Sequence, residues 1–477
     1  MSVAEPLHVV VLGAGPAGAG AAYRLRDLER ARVTVLERGE TVGGNAGSFR
    51  LNDQFVDFGS HRLHPATDPV IMADIERLLG DDLVERRRHG RIRLRGRWVH
   101  FPLKPLDLAL RVDNAFLLGA ARDALLRIGR RSQPDADSFG AVLQARLGPT
   151  ICDSFYFPYA RKIWGLEPGQ MAAEQAQRRV AANSPAKLIR KILAQVPGMR
   201  TPGAGRFYYP KRGFGQITES YATAAREAGA EFLLGWTASS LTPPATQGER
   251  WVVVAQRNRE SRTLEADHVW STVPVTVLAR MVQPSVPGGI LTAAASLDFR
   301  AMLLVYLEFP VDRFTEYDAH YFPGADVSIT RLSEPKNYSG AVEPDGRTTV
   351  CAELPCSPDD AVWSASDEEL GRRVTDDLRR SGLPVHDGPS SVHVRRLRHA
   401  YPIYTRGYAA PFDALDAWAA SLPRLLSFGR QGLFAHDNTH HALAMAYAAV
   451  DCLEPSGFDS VKWARYRTEF EKHVVVD

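Results

Sequence analysis

An α/β fold opening on a parallel βαβ unit is predicted by three observations at the amino terminus. Val9-Val10-Val11-Leu12 is a short, β-branched-rich run of the kind buried in a parallel sheet. Gly13-Ala14-Gly15-Pro16-Ala17-Gly18 follows at once as G-x-G-x-x-G and leads into the Ala-rich segment Ala19 to Leu28. A second apolar run, Val33-Thr34-Val35-Leu36, ends in Glu37. Strand, glycine turn, helix, strand and acid in that order form the pattern of a Rossmann-like dinucleotide-binding unit.

Each residue type has a task there. Gly13 permits the tight turn, Gly15 lets the backbone approach a pyrophosphate, and Gly18 lets helix and strand pack closely. The helix that starts at Pro16, which itself has no N–H, turns the free N–H groups of its first turn from Ala17 onward toward the phosphates, helped by the helix dipole. Glu37 lies 19 residues beyond Gly18, the place of a carboxylate that accepts from ribose hydroxyls. Arg38 and then Gly43-Gly44-Asn45 follow. The glycine doublet resembles the second glycine motif of FAD enzymes in the amine oxidase superfamily, which points to FAD over NAD.

Longer segments sharpen the resemblance. Gly43-Gly44-Asn45-Ala46 with Phe58-Gly59-Ser60-His61-Arg62-Leu63-His64 is similar to segments of the UDP-galactopyranose mutase and protoporphyrinogen-oxidase-like branch. So are Tyr159 to Leu166, which includes Trp164, and Phe207 to Gly215. Thr330-Arg331 with Glu334, and Tyr401-Pro402, resemble the mutases' substrate-diphosphate motifs. Phe428-Gly429-Arg430-Gln431-Gly432, leading to Asp437-Asn438-Thr439-His440-His441, resembles the segment and helix that close the flavin site. Two departures separate the chain from the family's named activities. Phe434-Ala435-His436-Asp437-Asn438 stands where the mutases have an aromatic and acidic run, and Asn45 stands where amine oxidases have Arg.

The resemblance implies an α/β flavoprotein of the GR2 type, with helical and mixed α+β substrate regions inserted into the FAD-binding domain. The FAD-binding part would comprise residues 1–85, 206–290 and 395–477. A mainly helical insert would span 86–205, and a mixed substrate-side region 291–394. Strand patterns at Glu231 to Leu234, Trp251 to Ala255 and His268 to Pro274, and helical patterns at Leu106 to Arg127 and Ala172 to Leu193, agree with that division.

Composition narrows the partners. Of 477 residues, 45% are hydrophobic and 24% charged, which suits a sizeable core. A net charge of +3 gives no reason to expect nucleic acid. Cys152, Cys351, Cys356 and Cys452 form no Cys-x-x-Cys pair and read as inert thiols of a reducing cytoplasm. No apolar run approaches the ~20 residues that span a bilayer, so the chain reads as soluble.

FAD is therefore the expected cofactor, held by Gly13, Gly15, Pro16, Ala17, Gly18, Glu37, Arg38, Gly43, Gly44, Asn45, Ser60, His61, Gly429 and Arg430. Asn438, a good N-cap, would present Thr439 and His440 at a helix start that steadies charge on the flavin. The resemblance places His61, Arg331 and Tyr401 at the reacting centre, and His64, Trp164, Arg331 and Tyr401 against the substrate. Arg331 suits an anion because its fork matches phosphate or carboxylate. His436, His440 and His441 have metal-like spacing, but with no carboxylate or cysteine partner evident no metal is expected. Arg91, Arg93, Arg95 and Arg97 alternate along one strand, as a solvated face or one that meets an acidic ligand or membrane surface. The leading expectation is FAD-dependent oxidation of a small molecule by hydride transfer to flavin N5. The alternatives are a non-redox nucleotide-sugar mutase, whose substrate would be anionic, and an escort-type binding protein without chemistry.

Overall fold

A computed structural model describes residues 6–126, 137–179, 205–246, 248–284 and 286–475. The predicted βαβ unit is present as β1 (His8–Leu12), α1 (Pro16–Asp27) and β2 (Arg32–Glu37). It sits at the middle of an all-parallel, five-stranded sheet in the order Leu425–Ser427, His268–Ser271, β1, β2, Glu231–Leu234. Val9, Val10 and Val11 are wholly buried because both faces of the sheet are covered.

The small residues of α1 set its neighbours. A Cβ on Gly20 would lie 2.7 Å from Leu443 Cδ2, so the glycine admits the carboxy-terminal helix Thr439–Asp451 at close range. On another side, Tyr23 meets Tyr221 of helix Gln216–Glu227 edge to face, with ring centroids 5.0 Å apart.

A second, seven-stranded sheet has the order Ser391–Pro402, Phe299–Phe309, Thr348–Cys356, Arg331–Ser333, Ala319–Tyr321, Gly90–Leu94, Arg97–Phe101. All its pairings are antiparallel except that between Ala319–Tyr321 and Gly90–Leu94. One face is backed by helix Asp367–Arg380, whose Leu370, Val374 and Leu378 recur every four residues and are buried. Ser366 and Glu369 close a capping box at its start.

Two expectations are revised in detail, and a third is described only in part. The arginines at 91–97 do not share one strand: Arg95 (φ 51°) and Gly96 (φ 78°) form a tight hairpin turn between two. The helical pattern from Leu106 breaks at Val112 and Asp113 into Pro105–Arg111 and Asn114–Leu126. The pattern from Ala172 is described as far as helix Ala173–Arg179, and its remainder lies outside the described residues.

All four cysteines are buried thiols, and burial pushes Cys356 and Cys452 up to about 11. Among the described residues, no helix is long and apolar enough to cross a membrane.

Candidate active site

A cavity of about 1110 Å³ runs from the carboxyl ends of β1 and β2 to the second sheet and the helical region. Its cofactor end is built from backbone. Gly13 adopts φ 97°, and a Cβ there would lie 2.6 Å from Thr272 Oγ1. A Cβ on Gly18 would lie 1.9 Å from the Gly13 carbonyl oxygen, so no side chain fits. Gly44, at φ 53°, faces Gly15 across the cleft, with its Cβ position 3.1 Å from the Gly15 Cα. The two glycine motifs thus press backbone against backbone. Gly15 is the N-cap of α1, and no side chain caps it. Gly15, Pro16, Ala17, Gly44 and Asn45 line the cavity there.

Glu37 closes the turn. One carboxylate oxygen accepts from the Ala14 amide and the other from the Gly39 amide, each at 2.8 Å. Its side chain, with Arg38, forms part of the wall. Gly43 (φ 117°) and Gly429 (φ 80°) do not line the cavity but make its shape possible: a Cβ on Gly43 would lie 2.6 Å from Gly47 Cα, and one on Gly429 2.8 Å from Ala17 Cβ. Asn45 Nδ2 and Gln431 Nε2 both donate to the His399 carbonyl, at 2.8 and 2.9 Å, tying the second glycine motif to the Gly429 segment.

The other end is aromatic. Trp164 packs edge to face on Tyr401 (5.7 Å) and on His436 (5.0 Å), and the Arg430 guanidinium lies 4.9 Å over the Tyr401 ring. Arg430 also donates to the Ala400 carbonyl at 2.7 Å. Phe101, Phe139, Phe155, Tyr156 and Tyr159 extend this wall. Phe155 and Tyr156 belong to a wide π-helical turn, Cys152–Tyr156, leading into helix Phe157–Trp164; such turns re-aim side chains in an otherwise regular helix.

His61, Ser60 and Arg331 lie between the two ends. His61 Nε2 is 2.9 Å from the Phe58 carbonyl, to which it donates, and its ring stacks on Phe214. Burial lowers its pKa to about 4, so the ring is neutral at ordinary pH. Ser60 donates its amide to Glu353 at 2.8 Å. Arg331 departs from expectation: its fork, assigned above to a substrate anion, is engaged by Glu353, with Nε and Nη2 each 2.9 Å from a carboxylate oxygen.

Asn438 and Thr439 line the cavity at the start of the carboxy-terminal helix. His440 and His64 do not. They stack on each other with centroids 6.4 Å apart, away from its walls, and burial lowers His440 to about 3. The histidine cluster also differs from the one expected. The carboxylate partner is Asp437, with Oδ1 3.1 Å from Nδ1 of both His441 and His473. Burial alone would raise Asp437, but hydrogen bonds from His441 and His473, and their charge, hold it well below the usual carboxylate range. These ligand atoms lie within 4.8 Å of one another, as a metal-binding group would. Glu353, Asp437 and His473 are the residues that sequence reasoning missed.

Eight arginines and four acidic side chains stand in the wall, so the cavity favours anions. A backbone cradle where side chains cannot fit, an uncapped helix start and a basic wall fit a dinucleotide diphosphate. The flavin-containing amine oxidoreductase family matches residues 17–448.

The chain belongs to that family.

It is an FAD-dependent enzyme with a Rossmann-like FAD-binding fold and inserted regions. It is 25% identical over 465 residues to coproporphyrinogen III oxidase of Propionibacterium freudenreichii subsp. freudenreichii, covering 87% of this chain and 85% of that protein. Among solved structures, a reduced UDP-galactopyranose mutase superposes with a TM-score of 0.81 at 21% identity, over 98% of this chain and 100% of the other. Putrescine oxidase bound to putrescine superposes at 0.66 and 16% identity, over 94% and 98%. These likenesses show the fold.

Proposed function

We propose that the protein is an FAD-dependent oxidoreductase whose small-molecule substrate is seated in the aromatic end of the cavity. Residues 1–85, 206–290 and 395–477 are read as the cofactor-holding unit, and the protein as acting on the cytoplasmic side, where its thiols stay reduced. When bound, FAD supplies a hydride acceptor at N5. The chain's own residues then bind, orient and exclude water. Trp164 and Tyr401 give the substrate a flat apolar wall. Neutral His61, with Nε2–H held by the Phe58 carbonyl, keeps Nδ1 as a lone pair able to accept a substrate proton. Asn438 and Thr439 bring a helix start whose dipole favours negative charge.

The Arg331–Glu353 pair carries the choice of oxidation over sugar mutation. A mutase needs cations for a nucleotide diphosphate, and here the arginine at that motif is already matched by a buried carboxylate. The mutase reading keeps one observation in its favour: Trp164, Arg331 and Tyr401 all line the one chamber. Anaerobic mixing with candidate reductants separates the two. Bleaching of the flavin's visible absorbance, restored by an electron acceptor, supports oxidation. Turnover of UDP-galactose by the chemically reduced enzyme, without net redox change, would overturn it.

A further inference from the structure

Folding aims a carboxylate at two carboxy-terminal histidines that the sequence keeps far apart. Asp437 precedes the helix Thr439–Asp451, His441 lies in its first turn, and His473 returns to it from the tail. Asp437 Oδ1 is 3.1 Å from Nδ1 of His441 and 3.1 Å from Nδ1 of His473. The two rings stack, with centroids 4.1 Å apart and 12° between their planes. A ligand atom from each of the three residues lies within 4.8 Å of the other two. Bonds of about 2.0 Å at tetrahedral angles put ligand atoms ~3.3 Å apart, so the carboxylate-to-ring spacings are close to those of a zinc site.

Two features of the group call for a cation. The Asp437 side chain is fully buried, and its Oδ2 has no hydrogen-bond partner, which costs stability. His441 Nδ1 also faces opposite demands. The Asn438 amide donates to it at 3.2 Å, which takes a lone pair, while the carboxylate at 3.1 Å needs a ring proton. One imidazole nitrogen provides one or the other. A metal ion between ring and carboxylate takes the lone pair and meets the negative charge together. The amide then joins the donors that a helix start leaves to solvent. His441 and His473 are 12% and 17% exposed, so an ion has a way in.

We infer that Asp437, His441 and His473 bind a divalent zinc-type ion, with the fourth position open to water. Imidazole nitrogens select zinc and its first-row neighbours over magnesium and calcium, which take oxygen ligands. Ring protons must leave before the ion binds, so the site fills from added metal and holds no resident ion. The ion clamps the tail, whose Val475 lines the cavity and donates its amide to the Arg178 carbonyl at 2.9 Å. It also adds positive charge beside Asn438 and Thr439, which line the same cavity. The site does not depend on which reaction the enzyme performs.

The test uses full-length, FAD-loaded protein treated with a chelator and then dialysed. Calorimetric titration with zinc chloride gives one ion per chain, and saturating zinc raises the melting temperature by about 3 °C. Zinc also slows proteolytic cleavage of the tail about tenfold, and magnesium chloride has neither effect. His473→Gln keeps its flavin and binds zinc about tenfold or more weakly. Copper(II) in the wild type, a paramagnetic stand-in, shows hyperfine coupling to the ring nitrogens of both histidines, a reading that needs no variant. Absence of zinc binding by the wild type below about 1 mM overturns the proposal. So does equal zinc affinity in His473→Gln, and so does copper coupled to no ring nitrogen.

Discussion

Arg331 lays two nitrogens on the two carboxylate oxygens of Glu353, each at 2.9 Å, with both side chains nearly buried. Glu353 also takes the Ser60 amide at 2.8 Å, so one acid holds the loop bearing His61 and cancels the charge of the arginine. Glu353→Gln removes the counter-charge and leaves a guanidinium in a poorly hydrated place. The expected loss is about 3 kcal/mol of stability, read from urea denaturation of the FAD-bound protein. A change below about 1 kcal/mol, the range of an exposed pair, would mean that water reaches the pair freely.

Gly15 and Gly18 are predicted to fail in different ways. Gly18→Ala puts a Cβ 1.9 Å from the Gly13 carbonyl, so both folding and flavin content fall. Gly15→Ala has room in the protein itself, its nearest neighbour being Gly44 Cα at 3.8 Å. Its methyl group stands where the diphosphate approaches. The fold survives, and the FAD dissociation constant rises about tenfold or more, a difference of ~1.4 kcal/mol. Flavin titration alongside circular dichroism distinguishes the two.

His61 makes the protein acid-sensitive. Its pKa is lowered to about 4 in the folded chain against 6.5 in the unfolded one, chiefly by burial. The neutral form is therefore favoured by folding. The stability this contributes is complete above the unfolded value and is lost as pH falls from 6.5 toward 4. Between about pH 7 and pH 5 the loss amounts to ~2 kcal/mol from this residue. Urea midpoints at the two pH values measure it, and His61→Gln shrinks the difference by about that amount.

Asp437 anchors the carboxy-terminal tail through His473 and the helix start through His441. Asp437→Asn removes the charge that both rings face and costs about 2–3 kcal/mol. It also exposes the tail to proteolysis, which limited digestion followed by mass spectrometry records. Chelator treatment of the wild type, which tests the expectation of no metal, leaves its melting temperature unchanged.

The amino-terminal unit was legible because its information is local. Strand, glycine turn, helix and Glu37 follow one another within thirty residues, and Gly13 and Gly18 leave no choice of residue type. What the sequence did not disclose depends on pairing across the chain. Arg331 meets Glu353 from the neighbouring strand, and nothing in Thr-Arg-x-x-Glu singles out that glutamate over Glu334. His473 reaches Asp437 only because the tail returns to the helix start. His64 and His440, assigned to the wall, stack on each other and do not line it. The arginine alternation failed as a single strand because a period of two reads the same on both sides of a two-residue turn.

The central sheet takes Leu425–Ser427 as its last strand, and Asn438 opens the helix that follows. A ribosome must therefore release most of the polypeptide before the cofactor can be gripped from both sides. Until then the half-made sheet keeps the His268–Ser271 strand as a bare edge, able to pair with the wrong chain. Flavin loading is thus a late event of biosynthesis.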